Sequence, residues 1–317
     1  MVFLFKVILW SRKLTIYAPK LMKDLDRASA ANSSSSGWHG ILNLGFSKTQ
    51  GKTQVIGDRV KAPLKVQRPF YPEGSEICHS VILHTAGGVV GGDRLSLNFY
   101  LQPNAQALIT TAAAGKVYRS NGLPASQTIE IEVNAGATLE WLPQETIIFD
   151  GAIYRQDLRV ELAPEASWLG WEITRFGRSA SGERFLQGEW RSHTEIWQQG
   201  RPLWIDRQWL PGGAEILDSP HGLAGQPVVA SLVWVGQAVS PEIVEKARNL
   251  GNHSPSFKGG TGVDFYQAGI TCLPSGLLCR YRGSSTSQVR NWFIDIWNLL
   301  RLHFLERPAC PPRVWQI

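Results

Sequence analysis

Polar and apolar residues alternate with a period of two over much of the chain, as in Ile41, Leu42 and Leu44, then Leu95, Leu97, Phe99 and Leu101, Ile129, Ile131 and Val133, and Leu158, Val160 and Leu162. Alternation of this kind sends one face of an extended chain into a core and the other to water, so these segments predict half-buried β-strands. Several run on into the same unit of an apolar residue, a three-residue turn, an alanine and a second strand. Leu101-Gln-Pro-Asn-Ala105 leads into Ala107-Leu-Ile-Thr110, Val133-Asn-Ala-Gly-Ala137 into Thr138-Leu-Glu-Trp141, and Leu162-Ala-Pro-Glu-Ala166 into Ser167-Trp-Leu-Gly-Trp171. The alanines are 32 and 29 residues apart. A repeat of about 30 residues built only of strands and turns cannot bury its apolar face alone, which predicts stacked layers of a β-helix-like solenoid. Chance likeness among antiparallel hairpins is the competing reading. A degenerate fourth copy is expected from Trp197-Gln-Gln-Gly-Arg201 into Leu203-Trp-Ile205.

Two segments break the pattern. Ser240 is a helix cap followed by Pro241 and Glu242, and Gly251 stops the helix they start. Val289, Trp292, Phe293, Ile296, Leu299, Leu300 and His303 share one face at a 3.6-residue period, predicting a long helix over Ser287 to Leu305 that Pro308, Pro311 and Pro312 end. That face fits packing on the chain's own sheet, or a partner. The fold class expected is therefore mainly β, with β-helix-like stacked strand layers and a few helices, including one long C-terminal helix.

Ser33 to Ser36 and Gly37 form a short flexible stretch. Residues 1–36 are expected to be a dispensable or mis-started N-terminal extension, and residues 37–317 a single β-rich domain. Composition changes this picture little. A chain of 317 residues with 43% hydrophobic residues is long enough for a sizeable core. Met1 to Trp10, interrupted by Lys6 and followed by Arg12 and Lys13, is too short for a membrane span and lacks a small-residue cleavage site, so no membrane partner is expected. The net charge of +6 suggests nucleic acid until it is located. Lys6, Arg12, Lys13, Lys20 and Lys23 lie in the first 23 residues, which hold no acid, and the body that follows is almost neutral, so no nucleic-acid partner is expected. Cys78, Cys272, Cys279 and Cys310 form no C-x-x-C pair and are too sparse for a disulfide scaffold, which points to a reducing compartment. Of the 13 tryptophans, seven fall between Trp141 and Trp209, where they serve either sheet packing or a protein interface.

The most unusual segment is His84-Thr-Ala-Gly-Gly-Val-Val-Gly-Gly-Asp93. So many glycines mark a tight turn or a close backbone approach. The segment is neither a phosphate loop nor a dinucleotide fingerprint, and Gly115-Lys116 followed by Val117 fails the same test. In a strand Cys78 and His84 share a face while His79 points away, so no ready three-ligand metal site is formed. Glu73, Glu76, Asp93, Glu140, Glu145, Asp150 and Glu172 neighbour apolar or glycine-rich segments and would suit a weak, transient cation path. Each of them alone is better explained as a solvent-facing strand-edge acid. There is no G-x-S-x-G elbow, and Ser179 has no base nearby in sequence, so an enzyme is not expected.

Several blocks resemble the urease accessory protein UreD family, also called UreH. They are Pro63-Leu-Lys-Val-Gln-Arg-Pro-Phe-Tyr-Pro-Glu-Gly74, Cys78-His79 with Leu83-His84, Gly87-Gly-Val-Val-Gly-Gly-Asp93, Ile109-Thr-Thr111, Ala114-Gly-Lys-Val-Tyr-Arg-Ser120, Leu139-Glu-Trp-Leu-Pro-Gln-Glu145, Trp171-Glu172, Gly177-Arg-Ser, Gly182-Glu183 and Pro312-Arg-Val-Trp315. The likeness is dense over residues 38–210; His84-Thr-Ala stands where the family has His-Pro-Pro, residues 1–36 have no counterpart, and 211–286 match loosely. The resemblance implies a non-catalytic cytoplasmic scaffold, with no tightly bound cofactor, that binds urease apoprotein together with UreF and the GTPase UreG. It also implies a β-helix-like fold, a homodimer as one option within the accessory complex, and transient nickel carried along internal acid-lined passages. Carried onto this sequence, the path residues are Glu73, Glu76, Asp93, Glu145 and Glu172, with Cys78 and His84 as secondary candidates. Two alternatives from other classes are a β-solenoid carbohydrate-active hydrolase, with paired acids and tryptophan platforms, and a pure protein-interaction module.

Overall fold

A computed structural model describes residues 37–253 and 266–316, and the expectation for residues 1–36 falls outside them. The predicted repeat is a solenoid of about four turns. The strands are β1 (His39–Thr49), β2 (Lys52–Lys61), β3 (Leu64–Val66), β4 (Ile77–His84), β5 (Arg94–Leu101), β6 (Gln106–Thr111), β7 (Gly115–Val117), β8 (Ala125–Val133) and β9 (Thr138–Trp141). They continue with β10 (Thr146–Ile148), β11 (Ile153–Leu162), β12 (Ser167–Phe176), β13 (Glu189–Gln198), β14 (Arg201–Pro211), β15 (Val228–Val235), β16 (Gln267–Leu273) and β17 (Gly276–Gly283). The helices among the described residues are α1 (Ala214–Asp218), α2 (Pro241–His253) and α3 (Thr286–Phe304).

Each coil contributes one strand to each of two facing sheets. In the first, β1, β5, β8, β11 and β13 run parallel, with β2 and β14 added antiparallel at the two edges. In the second, β4, β6, β9 and β12 run parallel, continued by antiparallel β15, β17 and β16. Short β7 and β10 and the end of β12 form a third wall. Val89, inside the glycine-rich segment, pairs with Val117 of that wall. A side chain on Gly88 would collide with the Lys116 carbonyl and Tyr118, so the segment is the close approach its composition predicts.

The repeating corner rests on backbone geometry. Asn104, Gly136 and Glu165 each take a left-handed conformation, with φ of 62°, 68° and 64°. The next residue in each case, Ala105, Ala137 or Ala166, donates its N–H to the carbonyl three residues back, at 3.1, 2.9 and 3.2 Å. Pro103 and Pro164 preset the preceding φ, as in type II turns. All three alanines are fully buried and stacked: Thr138 N–H donates to the Ala105 carbonyl and Ser167 N–H to that of Ala137, each at 3.0 Å. A buried methyl group fills each corner. The fourth copy does not form; Gln199 and Gly200, both with positive φ, turn the chain back as a hairpin, so β14 returns antiparallel to β13.

The second sheet buries both faces. Its inner face closes the solenoid core, and its outer face, with Leu169, Trp171, Ile173, Leu232 and Trp234, is covered by α2 and α3. Helix α3 is capped by the Ser285 hydroxyl, which accepts from Gln288 N–H at 3.2 Å. It lays Val289, Trp292, Phe293, Ile296, Trp297 and Leu300 on that face, so the apolar stripe is spent within the molecule. Trp141, Trp168, Trp171 and Trp190 are likewise core residues, while Trp209 remains 62% exposed. Replacing Ala137 by Leu is expected to cost about 1–3 kcal/mol by overpacking the corner, read as a lower urea midpoint at unchanged m-value. An unchanged midpoint would mean that the stack yields freely.

Candidate functional site

Polar side chains gather inside the molecule at two places. The first lies beneath α3, where the Arg301 side chain is only 1% exposed. Its Nη1 and Nη2 donate to the two Glu73 carboxylate oxygens at 2.6 and 3.0 Å, and its Nε donates to Glu140 Oε1 at 3.0 Å. Nη1 also reaches the Pro308 carbonyl at 2.7 Å. Trp297 Nε1 donates to Glu140 Oε1, and His79 Nε2 meets Glu73 Oε1, both at 2.6 Å. Burial pushes the Glu73 carboxyl up, but hydrogen bonds from His79 and Arg301 outweigh it and hold the group below its ordinary value. Burial wins at Glu140, which shares the one guanidinium with Glu73 and sits above the usual carboxylate range.

The second place is a cavity of about 470 Å³ inside the solenoid. At one end it is lined by His84, Gly87, Gly115 and Lys116, of which the last three are exposed, so it reaches the surface beside the glycine segment. From there it passes Gln127 and Gln156, joined by an amide hydrogen bond of 3.1 Å, to Glu172, Thr194, Asp206 and Ser231. Trp141, Trp168 and Trp204 supply apolar wall. Glu172 accepts from the Ser192 hydroxyl at 2.8 Å and from Thr174 at 3.3 Å. Protein surrounds it except on the cavity side. Burial first, with the Asp206 charge adding, lifts its pKa to about 7 against the opposing hydrogen bonds and the pull of Arg280.

The residues singled out in the sequence are thus dispersed. Glu172 and His84 line the cavity; His84 Nδ1 lies 3.1 Å from the Ala86 carbonyl, and its buried Nε2 has no hydrogen-bond partner among the described residues. Glu73 belongs to the Arg301 cluster. Glu76 faces the surface in an ion pair with Arg307, and Glu145 is half-buried in one with Arg290. Asp93 accepts from the backbone N–H groups of Trp38 and Val90, at 2.8 and 3.0 Å, and so fastens the start of β1 to the glycine segment. Cys78 is fully buried in the solenoid core, and burial raises its pKa. Among the described residues, no three His, Cys, Asp or Glu side chains come together as a metal site, and all four cysteines are free. Sequence reasoning missed Arg301, Asp206 and Arg280. The first carried a signal, a charge inside the apolar stripe of α3.

The comparisons with known proteins bear on this arrangement. The profile of the UreD urease accessory protein family matches residues 39–316. The chain belongs to that family. It is 70% identical over 280 residues to the urease accessory protein UreD of Nostoc sp. (strain PCC 7120), covering 88% of this chain and 96% of the relative. The UreD of Acaryochloris marina is 60% identical over 280 residues, with 88% and 96% covered, and that of Pseudomonas fluorescens 41% over 278 residues, with 88% and 95% covered. The family supports a role in urease maturation. No helix among the described residues is long and apolar enough to cross a membrane.

Replacing Arg301 by Met leaves two buried carboxylates without their cation, which is expected to cost about 3–5 kcal/mol. With that attraction gone the folded state retains a proton that the unfolded chain releases near the ordinary carboxylate pKa. The variant therefore loses further stability as pH rises from about 5 to 8, whereas the native protein changes less. Urea titrations across that range check both; a loss below about 1 kcal/mol, the level of an exposed pair, would show the cluster to be weak.

Proposed function

We propose that this chain is a cytoplasmic scaffold of urease maturation that binds urease apoprotein together with UreF and the GTPase UreG, and that its lumen carries nickel toward the urease active site. The observation that carries the nickel reading is Glu172, a carboxyl group held inside an interior passage and faced by hydroxyl, amide and carboxylate oxygens. A cargo ion must be released as readily as it is taken up. Oxygen donors spaced along a path suit that task, since thiolate or clustered imidazole ligation would hold nickel too tightly. The cavity has room for a hydrated ion, because a water occupies about 30 Å³ of liquid. Of the residues expected to form the path, Glu172 and His84 carry the proposal; Glu73, Glu76, Asp93, Glu145 and Cys78 are engaged in the contacts described above.

The hydrolase alternative has its paired acids and tryptophans in the same lumen, but a bidentate arginine holds Asp206, leaving Glu172 without a second free carboxyl. The carrier reading is favoured on that ground.

Glu172→Gln separates conduction from folding. A buried carboxyl with a raised pKa favours the fold below the unfolded value of about 4.5 and gives up that stability as pH rises through about 7. The amide lacks this cost, so above pH 7 the variant is expected to be at least as stable as the native protein. Urease activity in nickel-fed cells should nonetheless fall by about tenfold, the effect of about 1.4 kcal/mol on one step. Co-purification with UreF and UreG should be unchanged. Full activity with Glu172→Gln would remove the lumen from the path.

A further inference from the structure

An arginine joins the two sheets at the lumen's far end. Glu172 of β12, Ser231 of β15 and Arg280 of β17 are register partners across three neighbouring strands. Their side chains therefore form a row on the inner face of the second sheet. Across the lumen, Thr194 of β13 and Asp206 of β14 are partners in the first sheet. Arg280 joins the two rows: its Nη1 and Nη2 donate to the Asp206 oxygens at 2.9 and 2.6 Å, and Nη1 also donates to Ser231 Oγ at 2.7 Å. Its guanidinium lies 5.7 Å from the centre of the Trp204 ring.

Among the described residues, no further strand lies beyond β14 and β16, the edges of their sheets, and the partner of Arg280 on β16 is Gly269, which has no side chain. The Arg280 side chain is 40% exposed, whereas Asp206, Ser231 and Trp204 line the cavity behind it. Among the described residues, the guanidinium thus stands at this end of the lumen, together with Gln208, whose Nε2 also donates to Asp206 at 2.7 Å.

We propose that Arg280 is a gate: its clamp on Asp206 shuts the β14–β17 end of the lumen, and a cation passes there only when the clamp is released. A fixed positive charge at a narrow opening repels a divalent cation while it is in place. Once it swings away, it exposes a carboxylate that attracts one. The gate's meaning for urease maturation rests on the nickel-path reading, but its existence can be tested without nickel.

The full-length chain is prepared with Cys272→Ser and Cys310→Ser, because these two cysteines are not buried while Cys78 and Cys279 are. Thr194→Cys then places a thiol beside Asp206, and a small cationic methanethiosulfonate reports its accessibility. Opening the clamp with Arg280→Gln or Asp206→Asn removes a paired, charge-assisted bond and is expected to speed labelling roughly tenfold, with Arg280→Lys in between. Gln127→Cys, on the coil nearest the Lys116 mouth, should label at the same rate in either background. Equal Thr194→Cys rates with and without the clamp would overturn the gate. Parallel acceleration at Gln127→Cys would do so too, by showing general loosening. If the gate holds while Glu172→Gln leaves urease activation intact, the nickel path fails and the gate remains.

Discussion

A guanidinium in the wrong place for a water-soluble charge organises this molecule. Arg301 emerges from the apolar face of α3, where Trp297 and Leu300 flank it, and it is buried because Glu73 and Glu140 wait beneath the helix. Those two acids come from distant parts of the chain, one from the loop before β4 and the other from the middle of β9. The ion cluster therefore fixes which way α3 lies across the second sheet, where apolar packing alone would tolerate sliding. The tail is tied in as well: the Pro308 carbonyl takes one guanidinium N–H, and Trp315 packs on Trp171 and Trp297 and donates to Thr110. Because the cover is fixed, the outer face of the sheet is dry, and Glu172 and Thr174 of β12 are left to the other side.

That other side follows from the solenoid. Stacked parallel coils align equivalent residues from strand to strand, so a polar residue at an inward position has inward neighbours above and below it. Gln127 and Gln156 meet in this way on β8 and β11, and the antiparallel register of β12, β15 and β17 aligns Glu172, Ser231 and Arg280 likewise. A row of polar positions costs less than the same residues scattered, since each partner satisfies the next. The price is a core that is not closed, and the remaining space is the lumen.

The alternation of apolar residues and the recurring alanine were enough to read the coils, because both are local consequences of a repeated backbone shape. The left-handed residue before each alanine is Asn, Gly or Glu, so the turn was legible from spacing rather than from a constant residue. The same signal misled at Gln199-Gly200, where a similar spacing encodes a hairpin: with no further coil to stack on, the chain reverses. The site was less legible. Which acid faces inward depends on strand parity, and parity could be assigned to Cys78, His79 and His84 within β4 but not to acids in loops. Glu76, Asp93 and Glu145 lie outside regular strands, and the arginines or, for Asp93, the Trp38 backbone that they bind are far away in sequence.

The two polar systems differ in how completely their charges are satisfied. Around Arg301 two carboxylates converge on one cation under a helix, with His79 and Trp297 completing the bonds, so the charges are spent on one another and the geometry is fixed. Along the lumen, Glu172 has hydroxyl donors but no guanidinium within bonding reach, and burial lifts its pKa to about 7. Its charge is therefore poised rather than committed. A static clamp gains from complete satisfaction, whereas a path for a moving ion needs donors that are only partly satisfied until the ion arrives. Arg280 belongs to both kinds: it is paired as tightly as Arg301, yet it stands at an edge where water can compete for it. Solvent exposure alone turns the same bidentate bond from a permanent tie into one that can open.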